Sequence, residues 1–347
     1  MGLGADWPEL LTRLLAREEL SAADAEAAMA AVLAGEATPV QVAGFLVALR
    51  AKGVTAREMG GMLVAMLAAA VPLPLDADVI DTCGTGGSEQ RREAAFNVST
   101  LAALVAAGAG ARVCKHGNRK ASATSGSADT LEALGVAIDL DADGVRRCVD
   151  EAGIGFCLAP RFHPGMRHAG PVRRELGVRT VFNFLGPLAN PATPRRQVVG
   201  VSDPAMAETV IGVLKARGAV RAMVVFGHDG LDELTTTTAS TVHELRDGDL
   251  RRYDVQPAAL GLAPATADAL RGGDAEVNAR LATEVLSGRP GAHRDIVLLN
   301  AAAGLVVAGL ADDLGAGLAA ASAALDDGRA AATLDALVRV SQEAADG

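Results

Sequence analysis

The chain has 347 residues and a formal net charge of -10, and half of its residues are hydrophobic although only 3% are aromatic. That length suits two domains, or one large domain with a small attachment, because single cores stop growing at roughly 250–300 residues. The acidic balance argues against a broad nucleic-acid surface, which needs clustered Lys and Arg, and Cys83, Cys114, Cys148 and Cys157 form no C-x-x-C pair of the kind a zinc ribbon or thioredoxin motif requires.

The segment Met1–Glu9 carries Asp6 and Glu9 and lacks the basic-then-apolar pattern of a secretory signal, so a cytoplasmic protein with reduced, buried thiols is expected. From Leu10 the apolar residues Leu11, Leu14 and Leu15 follow helical spacing. Three further helices are announced by the pairs Ser21/Asp24, Thr38/Gln41 and Thr55/Glu58, which resemble capping boxes. Pro39 at a first helical position and Gly35 and Gly53 just past helix ends fit the same punctuation.

After Val71 short apolar runs alternate with helical stretches, the pattern of an α/β layer with largely parallel strands. Strands are expected at Asp78–Thr82, at Val113–Lys115, from Val198 and at Met223–Phe226. Helices are expected at Leu101–Ala107, starting from Ser99 or Thr100, around Thr130–Leu134 and at Met206–Ala216. The runs Thr241–Leu245 and Arg252–Val255, joined through Asp247-Gly248-Asp249, read as a hairpin. The Ala-rich C-terminal third reads as helices covering the sheet. Within it, the apolar stretch Ile296–Leu310 is interrupted by Asn300 and falls short of the roughly 20 residues of a membrane helix, so no membrane span is expected.

The expected fold class is therefore α/β. A small N-terminal α-helical domain, residues 1–74, precedes a larger domain, residues 75–347, with a central, mostly parallel sheet flanked by helices. Helices from about residue 164 to 182 are expected to pack on the small domain.

Three loops at carboxyl ends of expected strands carry chemistry. Asp81-Thr-Cys-Gly-Thr-Gly-Gly87 has the glycines to turn sharply and present N–H groups to an anion, yet matches neither a Walker A loop nor the G-x-G-x-x-G fingerprint, because Glu89 stands at the last glycine position. Lys115-His-Gly-Asn-Arg119, followed by Ser122, Thr124, Ser125 and Ser127, can neutralise and hydrogen-bond a phosphate or pyrophosphate. Gly230-Leu-Asp-Glu-Leu-Thr-Thr236 offers two adjacent carboxylates, hard ligands suited to Mg²⁺ shared with substrate phosphates. Each loop alone has an ordinary reading as a tight turn, an exposed basic loop or solvated acids. Their common place at strand ends, where open α/β sheets bind ligands, favours one site.

Together these loops resemble the anthranilate phosphoribosyltransferase family over nearly the whole chain. The resemblance is carried by Gly84-Thr-Gly-Gly87, Asn97-Val-Ser-Thr100, Lys115-His-Gly-Asn-Arg119, Ser125-Gly-Ser-Ala-Asp129, Arg179-Thr-Val-Phe-Asn-Phe-Leu-Gly-Pro-Leu-Ala-Asn-Pro191, Asp232-Glu233-Leu-Thr-Thr236 and Gly35-Glu-Ala-Thr-Pro39. It implies transfer of 5-phosphoribosyl from phosphoribosyl pyrophosphate (PRPP) to the amine of anthranilate, in tryptophan biosynthesis. It implies that Gly84, Thr85, Gly87, Asn97, Ser99, Thr100, Lys115 and Ser127 hold PRPP, and that Ser99, Asp232 and Glu233 hold Mg²⁺. It points to Asn118, Arg173, His116, His163 and Pro160 for the aromatic acceptor, assigns no general acid or base, and implies a homodimer formed through the N-terminal helices.

The chain departs from the family pattern in one loop. Ser88 stands where the family has an aspartate, and Ser88-Glu-Gln-Arg-Arg-Glu93 lengthens the run to Asn97; Arg91 and Arg92 could contact pyrophosphate or face water, and water is the favoured reading. Lys120 and Ala123 replace residues that are usually small or hydroxylated. The departures leave room for a paralogue acting on another aromatic amine in secondary metabolism. Two rivals are a pyrimidine nucleoside phosphorylase and a non-catalytic nucleic-acid-binding relative. Lys115–Arg119 and Arg173 argue against the first, and the acidic charge against the second.

Overall fold

A computed structural model describes residues 5–86, 88, 96–119 and 124–346. The chain opens with helices α1 (Trp7–Leu15), α2 (Ala22–Ala34), α3 (Pro39–Lys52) and α4 (Ala56–Ala68). The hydroxyls of Ser21, Thr38 and Thr55 accept from backbone N–H groups three residues on. The reciprocal side-chain bond that completes a capping box is made at Thr38/Gln41 and Thr55/Glu58. Glu58 is fully buried, where a lone carboxylate would be costly. It is held by the Lys52 ammonium at 2.8 Å and by the N–H groups of Leu20 and Thr55.

Strands and helices then alternate: β1 (Ile80–Gly84), α5 (Val98–Gly108), β2 (Val113–Gly117), α6 (Ser127–Ala133), α7 (Ala142–Ala152) and β3 (Ile154–Leu158). Next come α8 (Ala159–Phe162), α9 (Met166–Leu176), α10 (Phe182–Leu188), β4 (Arg196–Gly200), α11 (Ala207–Ala216), β5 (Arg221–Gly227), β6 (Ser240–Arg246) and β7 (Asp249–Val255). Helices α12 (Ala275–Leu286), α13 (Ala292–Ala308), α14 (Leu314–Asp326) and α15 (Arg329–Asp346) close the chain.

The seven strands form one sheet in the order β3-β2-β1-β4-β5-β6-β7. The first five are parallel, and β6 and β7 are the expected antiparallel hairpin. Strand order reverses between β1 and β4, the switch point at which such sheets open a crevice. Strand residues alternate between two cores. Ile80, Val198, Met223 and Val225 join the core under α5, α13 and α15, whereas Cys83, Val199 and Val224 join one that also contains α1–α4 and α9–α11. The N-terminal helices thus share an apolar core with one face of the sheet.

Two local expectations shift. Strand β1 begins two residues later than Asp78, which instead pairs with Arg196 at 2.7 Å, and it runs on to Gly84 because Gly84 pairs with Gly200. Within residues 164–182, Gly177 adopts φ +63° and ends α9, and α10 begins at Phe182. Helix α9 packs on α2 and α3. Strand β3 has no counterpart among the expectations. Gly155 breaks its apolar run, and it stands there because α7 packs so close that a Cβ would lie 2.8 Å from Val145 O.

Candidate active site

At the switch point the ends of β1 and β4 approach the loop after β5 too closely for any side chain. A Cβ on Gly84 would lie 2.2 Å from Asp232 Oδ2, and one on Gly200 would lie 1.6 Å from the Asp232 carbonyl oxygen. Glycine at both strand ends therefore seats Asp232 in the crevice. Thr85 N–H then donates to Gly200 O at 2.9 Å, and Gly86 N–H donates to Asp232 Oδ2 at 2.7 Å. The carbonyl of Gly86 accepts from Ser202 Oγ at 2.9 Å and from Arg179 Nη2 at 3.0 Å, while Arg179 Nη1 reaches Ser202 Oγ at 2.6 Å. Thr85 and Gly84 are thus at the site. Gly87 lies outside the described residues, as do Arg91, Arg92, Lys120 and Ala123. Ser88 is buried, and its hydroxyl has no hydrogen-bond partner among the described residues.

Beside this loop, Lys115 projects from β2 toward α5. Its ammonium is buried and donates to Thr82 O at 2.5 Å and to Ser99 Oγ at 3.3 Å. No carboxylate lies within ion-pair distance of it among the described residues. A small pocket is lined by Thr82, Ser99, Asp232, Glu233 and Asn300, so Ser99, which Lys115 holds, and the two buried carboxylates border one space. No cluster of three or more His, Cys, Asp or Glu side chains able to hold a metal occurs among the described residues. Two carboxylates and a hydroxyl fit Mg²⁺, which keeps several waters and shares substrate phosphates rather than filling an all-protein cage.

Other expected site residues are held by their own networks. Asn97 Oδ1 accepts from Thr130 Oγ1 at 2.6 Å and from Asn278 Nδ2 at 2.9 Å, which fixes the carboxamide at the start of α5. Thr100 is buried, and its hydroxyl finds no partner among the described residues. Ser127 Oγ donates to Asn118 O at 3.3 Å and packs where a Cβ on Gly117 would fall, so it shapes the turn after β2. The neighbouring Arg119 is engaged by both oxygens of Glu132, at 2.7 and 3.0 Å, which holds the Glu132 carboxyl below its usual range.

On the opposite face of β2, the His116 ring lies 5.1 Å from that of His163, tilted by 57° to it, and His163 caps the end of α8. Its Nδ1 lies 3.1 Å from Gly186 O. Because a carbonyl only accepts, Nδ1 carries the proton and Nε2 is left as a buried acceptor with no partner among the described residues. Burial, followed by repulsion from His163, lowers the His116 pKa to about 3, so the ring is neutral near pH 7. Burial also lowers that of His163. Pro160 is exposed on the same short helix. From α9 the Arg173 guanidinium sits 5.0 Å from the Phe182 ring centroid, half-buried and without an ion pair among the described residues; burial lowers its pKa.

Several residues that shape this site were given no role on sequence grounds. Asp81 is fully buried on β1, accepting from His116 N–H and from Asn190 Nδ2; burial raises its pKa to about 6 against the opposing effect of Lys115. Arg179 and Asn190 stand inside the long Arg179–Pro191 motif, whose regularity was the available signal. Ser202, Asn278 and Asn300 had none beyond being polar residues at the margin of, or within, apolar runs.

Residues 8–70 match the helical bundle domain, and residues 76–331 the a/b domain, of a glycosyl transferase family. The anthranilate phosphoribosyltransferase of Acidothermus cellulolyticus is 54% identical over 344 residues, covering 97% of this chain and 96% of the relative. That of Roseiflexus sp. (strain RS-1) is 52% identical over 334 residues, covering 96% and 97%. The crystal structure of anthranilate phosphoribosyltransferase from Thermus thermophilus superposes with a TM-score of 0.90 at 42% identity, covering 96% of this chain and 99% of that one. The Saccharomyces cerevisiae enzyme in complex with PRPP and Mg gives 0.89 at 28% identity, covering 98% of each chain.

Proposed function

The chain belongs to the anthranilate phosphoribosyltransferase family and moves the 5-phosphoribosyl group of PRPP to the amine of anthranilate, releasing pyrophosphate, and we propose that the charges around the β1–β4 switch point divide this work. The observation that carries the proposal is Lys115. Among the described residues no carboxylate lies within ion-pair distance of this buried ammonium, whose charge reaches Asp81 only from further away, so it calls for an anion, and the glycine turn beside it offers backbone N–H donors.

In this reading Gly84, Thr85, Gly87, Asn97, Ser99, Thr100, Lys115 and Ser127 surround PRPP, with Lys115 opposite the pyrophosphate. Asp232, Glu233 and Ser99 hold Mg²⁺, which when bound stabilises the negative charge that grows on departing pyrophosphate. The half-buried Arg173, braced on Phe182, pairs with the acceptor's carboxylate in a bidentate fork. Asn118, His116, His163 and Pro160 line the acceptor's approach. Neutral His116, its tautomer set by Gly186 O, presents Nε2 as an acceptor for an amine N–H. These groups hold the nitrogen in line with the anomeric carbon as pyrophosphate leaves from the other side, so the main contribution is orientation. An anilinium nitrogen formed by attack is acidic enough to lose its proton without a strong base.

The four free, buried cysteines support a cytoplasmic, reducing setting. No helix among the described residues is long and apolar enough to cross a membrane. Exposed Leu15, Val40 and Val47 on α1 and α3 support a homodimer through the N-terminal helices. The division into residues 1–74 and 75–347 is read as a smaller unit carrying this face and a larger unit carrying PRPP and metal.

The proposal is tested by quantifying pyrophosphate and N-(5-phosphoribosyl)anthranilate from wild-type protein and from the Asp232→Asn/Glu233→Gln variant. Equimolar products from wild type, with turnover by the variant reduced by orders of magnitude, are expected. Equal turnover by the two proteins would remove the carboxylates from the metal role.

A further inference from the structure

Asn300 is the one polar side chain in the buried run Ile296–Val307 of α13. A polar group in such a place is costly unless its hydrogen bonds are met, and here three are. Oδ1 accepts from Leu234 N–H at 3.1 Å, and Nδ2 donates to Leu234 O at 2.8 Å and to Ile296 O at 2.9 Å. Both backbone polar groups of Leu234 therefore end on one carboxamide. Leu234 follows Glu233 directly, and its side chain is fully buried. Helix α13 also packs against β1, β4, β5 and α5, the elements that carry Gly84, Gly200, Gly227 and Ser99.

We propose that Asn300 is a positioning residue for the Asp232–Glu233 carboxylate pair, clasping the next residue's backbone so that the pair faces Ser99 at a fixed separation. The inference rests on the reading of those carboxylates as Mg²⁺ ligands. Asn300 needs no contact with metal or substrate. Its carboxamide is suited to the task because it offers an acceptor for the Leu234 N–H and a donor for the Leu234 carbonyl from the same planar group. Leucine at this place would leave both backbone groups unpaired. Aspartate would keep the acceptor, lose the donor, and bring a third carboxylate to the pocket that Asn300 shares with Asp232 and Glu233.

The test compares Asn300→Leu and Asn300→Ala with wild type in two measurements. These are the Mg²⁺ concentration for half-maximal turnover, and Mn²⁺ binding in the presence of PRPP followed by electron paramagnetic resonance. Loss of a buried hydrogen bond from the clasp is expected to raise both the half-maximal Mg²⁺ and the Mn²⁺ dissociation constant by about tenfold or more. At saturating Mg²⁺ kcat should stay within about threefold of wild type, and KM for anthranilate should not move, a split that general loss of structure would not produce. Hydrogen exchange of the Leu234 amide in wild-type protein gives a reading independent of the variants' folding, and slow exchange is expected. Fast exchange at Leu234, or folded variants with wild-type metal dependence, overturns the clasp. The Asp232→Asn/Glu233→Gln variant is run alongside. If it too keeps wild-type Mn²⁺ binding, the metal reading fails with the clasp; if it alone loses binding, only the clasp fails.

Discussion

Asp232 Oδ2 accepts a hydrogen bond from the Gly86 N–H at 2.7 Å, which ties the loop after β5 to the loop after β1 across the switch point. The bond is possible because Gly84 has no side chain; a methyl group there would stand 2.2 Å from the same oxygen. Gly84→Ala should therefore turn the carboxylate away from Gly86. A rise of about tenfold or more in both the half-maximal Mg²⁺ concentration and KM for PRPP is expected, at the scale of one charge-assisted bond. Far-UV circular dichroism should be unchanged. Steady-state titration of Mg²⁺ checks this, and a wild-type curve would show that the contact is not needed.

Arg179 and Ser202 grip the Gly86 carbonyl from the other side. Arg179→Gln removes the cation from this clamp, and KM for PRPP should rise about 5- to 30-fold, for a loss of about 1–2 kcal/mol. KM for anthranilate should change little. A variant whose anthranilate KM rises instead would place Arg179 with the acceptor.

Arg173 gives the reverse pattern. With no ion pair among the described residues and its guanidinium on Phe182, it is available to an incoming carboxylate. Arg173→Gln should raise KM for anthranilate about 10- to 100-fold, equivalent to about 1.4–3 kcal/mol, and leave KM for PRPP within about threefold. Anthranilamide, which has no carboxylate, should be used about equally by wild type and variant. If both proteins still prefer anthranilate to the same degree, the carboxylate is read elsewhere.

Two buried groups bend the pH dependence of stability in opposite directions. Asp81 is raised from 3.8 to about 6 in the fold, so the native state holds the extra proton, and its contribution falls as pH rises across that window. His116 is lowered from 6.5 to about 3, so the unfolded state holds the proton, and stability rises with pH between those values. The two effects partly cancel between about pH 4 and 6. His116→Asn should remove its share of the rising component, so that unfolding free energy rises less steeply with pH in that range than in wild type, as measured by urea titration at several pH values. The pH profile of kcat/KM above pH 5 should show no ionisation belonging to His116, since the ring is already neutral there. An acid limb near pH 6 that vanishes in His116→Asn would contradict this.

Much of the fold was legible where local chemistry is self-contained. Thr38 with Gln41 and Thr55 with Glu58 announce helix starts because the capping bonds lie within four residues. The hairpin announces itself through Asp247-Gly248, where both residues take positive φ. Strand β3 was not legible, because Gly155 interrupts its apolar run and the reason for that glycine, the close approach of α7, is a tertiary contact. In the site, Lys115, Asp232 and Glu233 could be found as charged residues after apolar runs. Asn300 and Ser202 could not, since their meaning lies in backbone groups 66 and 116 residues away. Arg119 shows the opposite case: a basic residue in a phosphate-like motif is engaged by Glu132, a partner that spacing did not single out.

The most direct measurement is the decay of anthranilate fluorescence on addition of PRPP and Mg²⁺, repeated with other aromatic amines at equal concentration. The account predicts rapid, Mg²⁺-dependent decay with anthranilate, the highest kcat/KM among the amines, and one pyrophosphate released per anthranilate consumed. Steady fluorescence with anthranilate, alongside PRPP-dependent turnover of a different amine, would contradict it.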